Sequence, residues 1–120
     1  MANPLPTTTH IGTLGELLVQ LRLLEYGIQA APPIKDSGND LIAIKGRVVK
    51  FVQVKTSMGR ISSHRRLPEI FDIVALVELI HNTDGHIQFD QSKVFVYKKG
   101  QRIADKQELT RTVVDSLWSE

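Results

Sequence analysis

Asp40, Gln53, Lys55 and, upstream, Glu16 are residues whose types and spacing can do chemistry. Gln53-Val54-Lys55 closes an apolar run, Val48-Val49-Lys50-Phe51-Val52, and Asp40 opens another, Leu41-Ile42-Ala43-Ile44. Gly46-Arg47 between the runs reads as a two-residue hairpin loop, and glycine in its first position suits a type II′ turn. That turn sets a register in which Asp40 lies opposite Gln53. Lys55 leaves the same face as Gln53 because strand side chains alternate. A symmetric four-residue loop keeps this register, whereas a three-residue loop shifts it by one and sends Asp40 to the other face. The patch then offers a carboxylate oxygen from Asp40, a carbonyl oxygen from Gln53 and the backbone carbonyl of Val54. Magnesium accepts such oxygens and keeps several waters. A metal-bound water is acidified, and the metal offsets charge on a phosphoryl oxygen. Lys55 beside them would orient the nucleophile and offset developing negative charge. These parts suit metal-assisted phosphodiester hydrolysis.

Positioning such a patch takes a sheet and something to cover it. Leu14, Leu17, Leu18, Leu21 and Leu24 recur at helical spacing, which predicts a helix from Ile11 or Thr13 to Tyr26 with Gly27 as its stop. Val19 and Leu23 form a second apolar strip on the far side of that helix, a candidate subunit contact. Residues 1–9 read as a loose arm. A short strand follows over 28–32, ended by Pro32-Pro33, then a polar turn over 36–40. The hairpin strands are 41–44 and 48–55. Residues 56–67 are basic and poorly patterned, with room for a short helix near their end. The β-branched stretch 70–80 reads as a central strand and 94–97 as another. Asp105-Lys-Gln-Glu108 resembles a capping box, opening a closing helix whose buried side is Leu109, Val113 and Leu117. The order predicts one α/β domain over 1–120, a mixed sheet with helices layered on it. The first helix is expected on the face that carries Asp40 and Gln53.

At 120 residues the chain can bury a core without staples, and it has no cysteine for disulfides, zinc-thiolate sites or a thiol nucleophile. No apolar run reaches membrane length, and the N-terminus lacks the regions of a signal peptide, so a cytoplasmic protein is expected. The net charge of +2 does not by itself call for nucleic acid. Its distribution says more: Leu41 to Pro68 holds no acid and seven of the 15 Lys and Arg residues, a local field that could attract phosphate or a solvated basic strand and loop. Lys45, Arg47, Lys50, Arg60, Arg65, Arg66 and His64 are therefore candidate backbone contacts, joined by Thr56 and Ser57. The histidines show no paired metal spacing. Nucleotide-binding and serine-hydrolase motifs are missing.

Gly12-Thr-Leu-Gly-Glu16, Gly38-Asn-Asp40 and Gln53-Val-Lys55-Thr-Ser57 together resemble the motifs of the PD-(D/E)XK nuclease superfamily. The likeness is strongest to its small Holliday junction resolvases and group I intron homing endonucleases. It extends through Phe71-Asp-Ile-Val-Ala-Leu-Val77, which looks like the core strand that follows. The resemblance implies a restriction-endonuclease-like αβββαβ core and an endodeoxyribonuclease that uses Mg²⁺ or Mn²⁺ and leaves 5′-phosphate and 3′-hydroxyl ends. It implies a homodimer or homotetramer acting on DNA. It maps the catalytic set onto Glu16, Asp40, Gln53 and Lys55, with Glu16, Asp40, Gln53 and Val54 toward the metal. Gln53 stands where the family usually has Glu or Asp, which thins the charge on the metal and gives Glu16 more weight. Asn39 stands where proline is common.

Rival readings remain beside this one. Thr13-x-x-Glu16 fits a capping box, which would occupy Glu16 with a helix end. Asp36 competes with Asp40 and is disfavoured by the register. The chain as a whole has two rivals to a nuclease. One is a DNA-binding module of the same fold without cleavage. The other is a structural subunit assembling through Val19 and Leu23. For a nuclease, the substrate is a branched junction or a specific duplex sequence.

Overall fold

The computed structural model describes residues 8–34, 40–65, 67 and 70–119. Residues 1–7 of the arm expected over 1–9, the turn residues Asp36, Gly38 and Asn39, and Arg66 lie outside them, while Thr8 and Thr9 belong to the first helix. Helix α1 spans Thr8–Glu25 and strand β1 Gln29–Ala31; β2 is Leu41–Lys45, β3 Val48–Met58, β4 Ile73–Leu79 and β5 Lys93–Lys98. A 3₁₀ turn at Ile103–Asp105, strand β6 at Gln107–Glu108 and helix α2 at Arg111–Leu117 complete the order. The six strands form one sheet in sequence order. All neighbours are antiparallel except β3 and β4, which run parallel.

The hairpin has the expected register: Lys45 pairs with Val48 and Leu41 with Val52 across the two-residue loop. Gly46 has φ 61° and Arg47 has no positive φ, the sign pattern of a type II′ turn. Alternation then sorts the sheet. Leu41, Ala43, Val52, Val54, Ile73, Ala75 and Val77 enter the main core with Leu18, Val19 and Leu23 of α1 and Val114 and Trp118 beside them. Val74, Leu76 and Tyr97 face the other way, into a smaller core closed by Ile61, Leu67 and Phe71 from the β3–β4 connection. Both helices therefore lie on one face and the parallel crossover on the opposite one.

Several expectations are corrected. α1 starts at Thr8, so Thr13 and Glu16 are interior to the helix and make no N-terminal capping box. Its faces are exchanged. Val19, Leu23 and Leu18 are buried, while Leu17, Leu21 and Leu24 of the expected main stripe are 54–60% exposed. α1 also lies on the face of Val52 and Val54, opposite to Gln53 and Lys55, and not on theirs. β3 runs on to Met58 and takes in Thr56 and Ser57. The described residues between β3 and β4 form no helix, where an αβββαβ order has its fifth element. At the C-terminal end Asp105 accepts from Arg102 N within the 3₁₀ turn. Thr110, not Asp105, caps α2, accepting from Val113 N at 3.3 Å. Leu109 precedes that helix, and Val114 and Trp118 form its buried side. No described helix is long and apolar enough to cross a membrane.

Candidate active site

Asp40 sits in the bend just ahead of β2, where its N–H reaches Val52 O at 3.2 Å. Its Oδ2 accepts from Val54 N at 2.8 Å and from Gln53 Nε2 at 2.9 Å. Strand N–H groups point along the sheet toward the neighbouring strand. An oxygen bound to Val54 N therefore lies near the sheet plane, in the ladder position that β2 leaves open. From there it can be approached from both faces. Gln53 on one face can therefore bond this carboxylate while Glu16 on the other feels its charge.

Gln53 approaches from the crossover face. It is 7% exposed, and its Oε1 is buried with no hydrogen-bond partner. Glu16 comes from the helix face. Burial first, and then the Asp40 charge, hold its carboxyl above the usual glutamate range. The seat that brings Glu16 there is Gly15. A Cβ on Gly15 would lie 1.8 Å from Thr56 Oγ1 and 2.7 Å from Thr56 Cβ, so α1 can come this close to β3 only without a side chain. Thr56 Oγ1 is itself buried and unpartnered under the helix. Sequence reading missed this pairing; the signal available was a glycine inside a helical pattern, which costs propensity unless packing needs it.

Lys55 is half-buried, shares the Gln53 face and makes no hydrogen bond or ion pair among the described residues. It opens onto a cleft of about 350 Å³ lined also by Ser57, Arg60, Ser62, Ser63 and His64. Glu16, Asp40, Gln53 and Lys55 are thus brought to the same end of the sheet. What the structure shows of Val54 is its N–H on Asp40.

The basic residues are not gathered in one field. Lys45 alternates to the helix face and bonds Asp115 at 3.0 Å. Lys50 pairs with Ala43 and stands two residues before Val52, so it leaves on the helix face as well. Arg47 is exposed in the hairpin turn, and Arg65 is exposed on the crossover. His64 has both ring nitrogens engaged, Nδ1 with Arg65 O at 2.7 Å and Nε2 with the Tyr97 hydroxyl. A carbonyl can only accept, so Nδ1 carries the proton and Nε2 of the neutral ring accepts from Tyr97. Burial raises the Tyr97 phenol above its ordinary range, which keeps that donor protonated. Ser57 Oγ is spent on Gly59 O at 2.6 Å.

The donors suit a hard divalent cation. A buried acceptor left unpaired costs roughly 1–3 kcal/mol, and a cation beside Gln53 Oε1 would remove that cost. The same cation would relieve the repulsion between Glu16 and Asp40. All three donors are oxygens, the preference of Mg²⁺ and Mn²⁺. No trio of His, Cys, Asp or Glu gathers among the described residues, so the charge available is that of two carboxylates.

The fold is similar to that of a solved structure described as a bacterial homing endonuclease, I-Ssp6803I. The TM-score is 0.57 at 16% identity, covering 88% of this chain and 79% of that one. The likeness is one of fold, a mixed six-stranded sheet with two helices. No family model matches the sequence. No curated protein matches it.

Proposed function

We propose that this chain is a metal-dependent endodeoxyribonuclease acting in the cytoplasm, with Glu16, Asp40, Gln53 and Lys55 around the scissile phosphate. The observation that carries the reading is the buried, unpartnered Gln53 Oε1 beside a carboxylate that Gln53 and Val54 already hold in place. Asp40, Gln53 Oε1 and Glu16 would hold Mg²⁺ or Mn²⁺. When bound, the cation supplies an acidified water and charge compensation at a phosphoryl oxygen. The chain supplies the rest. Val54 N and Gln53 Nε2 fix Asp40 Oδ2, leaving Oδ1 without a hydrogen bond among the described residues. The Lys55 ammonium, unpaired on the Gln53 face, donates to a non-bridging phosphate oxygen and holds the attacking water in line. Products would carry 5′-phosphate and 3′-hydroxyl ends.

One site cuts one strand, so a double-strand cut needs two copies. Leu17, Leu21 and Leu24, the exposed strip of α1, are the surface we assign to that contact. A Leu21→Lys variant that sediments as wild type does would remove the assignment.

Supercoiled plasmid and a synthetic four-way junction, incubated with Mg²⁺, Mn²⁺ or chelator, test the reading. Nicking is expected with either metal and not with chelator, and Asp40→Ala and Lys55→Ala abolish it. Nicking that survives both substitutions would place the chemistry elsewhere. Binding of DNA with no nicking under any divalent ion would leave a binding module of the same fold.

A further inference from the structure

We propose that the cleft between the end of β3 and the crossover seats, without any metal, the backbone phosphate that follows the one at Lys55 in a nucleic acid strand, with Arg60 as its cation. The inference rests on the nuclease reading only for the identity of the polyanion. Lys55 and Arg60 both line the cleft, and neither pairs with a carboxylate or any other group among the described residues. The acid nearest in the ladder, Glu78, is held by Ile61 N, which donates to its Oε2 at 2.9 Å; its charge remains, and Lys55 and Arg60 outnumber it. Ser62 and Ser63 add hydroxyl donors at the rim. At about 350 Å³ the space falls within the range of small-ligand sites, more than a bare phosphate fills, leaving room for the attached sugar.

The wall is built in advance. Gly59 N donates to Leu79 O at 3.0 Å, Lys106 Nζ to Ile61 O at 3.1 Å, and the Tyr97 hydroxyl to His64. The His64 and Tyr97 rings also stack, with centroids 6.2 Å apart. His64 is therefore a strut of the wall and not an anion contact, which differs from the sequence expectation. A cleft already ordered loses little conformational freedom when a ligand enters. Because Lys55 lies on the Gln53 face, a strand whose scissile phosphate meets Lys55 continues into the cleft toward Arg60.

Fluorescence anisotropy of a labelled DNA duplex, in EDTA over a series of KCl concentrations, tests this. Each phosphate contact contributes about one unit to the slope of log K against log salt. Arg60→Ala should lower the slope by about one, and Arg60→Lys should keep it. Arg111→Ala removes a charge from α2 on the opposite face and should leave the slope as in wild type. An unchanged slope in Arg60→Ala overturns the proposal, as does an equal loss in Arg111→Ala or absence of duplex binding in EDTA. Calorimetry with inorganic phosphate is the second arm. Phosphate binding lost in Arg60→Ala, with the duplex slope intact, would make the free anion the ligand and overturn the chain. Missing cleavage with an Arg60-dependent slope sinks the nuclease reading alone; cleavage without that slope sinks the cleft alone.

Discussion

Gly15 separates two opposing effects of one methyl group. In an open helix position Gly→Ala stabilises by roughly 0.5–1 kcal/mol. Here the added Cβ would overlap Thr56, and overpacking costs about 1–3 kcal/mol. Gly15→Ala should therefore destabilise the chain in urea unfolding, and Thr56→Gly in the same chain should recover part of the loss. A more stable Gly15→Ala would mean that the seat is looser than described. Glu16 gives a pH-dependent counterpart. Burial and the Asp40 charge make the folded chain bind its proton more readily than the unfolded chain does, whose glutamate titrates near 4.5. Stability then falls as pH rises through the raised folded value, and the penalty stays in place above it. In chelator, Glu16→Gln should melt above wild type at pH 7. The difference should vanish as pH drops below the ordinary carboxylate range. An advantage that persists in acid would assign the effect to something other than ionisation.

At the scale of the element, α1 shows what the sequence can and cannot disclose. Its leucines surround the helix, so periodicity predicts that it forms without deciding which side is buried. The inward side is chosen by fit to the sheet. Gly15 must sit on Thr56, and that rotation turns Leu18, Val19 and Leu23 inward. Leu23→Ala should accordingly cost roughly 2–5 kcal/mol, and Leu21→Ala less than about 0.5 kcal/mol in the monomer. Equal losses in urea titrations would contradict the assigned face. The hairpin was legible because glycine at Gly46 leaves few loop geometries, and the loop fixes every pair up to Leu41 and Val52. The closing segment was less so. Asp105 and Thr110 both carry capping chemistry, and a strand of two residues between them leaves too little pattern to read. Strand alternation alone puts Gln53 and Lys55 on one face, but the side taken by α1 depends on how the chain leaves that face between β3 and β4. No local residue pattern records that path.

For the whole molecule, a cation that binds the folded site and not the open chain must raise stability by linkage. At a hundredfold excess over the dissociation constant the gain is about 2.7 kcal/mol. Mg²⁺ or Mn²⁺ should raise the melting temperature of wild type, and Asp40→Ala should remove the rise. A rise retained in that variant would locate the ion elsewhere. Folding also ties the site to the far end of the chain. Trp118 Nε1 donates to Ala43 O at 3.2 Å, and Asp115 grips Lys45, so α2 clasps the strand that leads back to Asp40. All four site residues precede this clasp in the chain. On the proposed reading, a chain cut before Arg111 keeps every one of those residues and still leaves plasmid intact, because the strand that aims them has lost its brace.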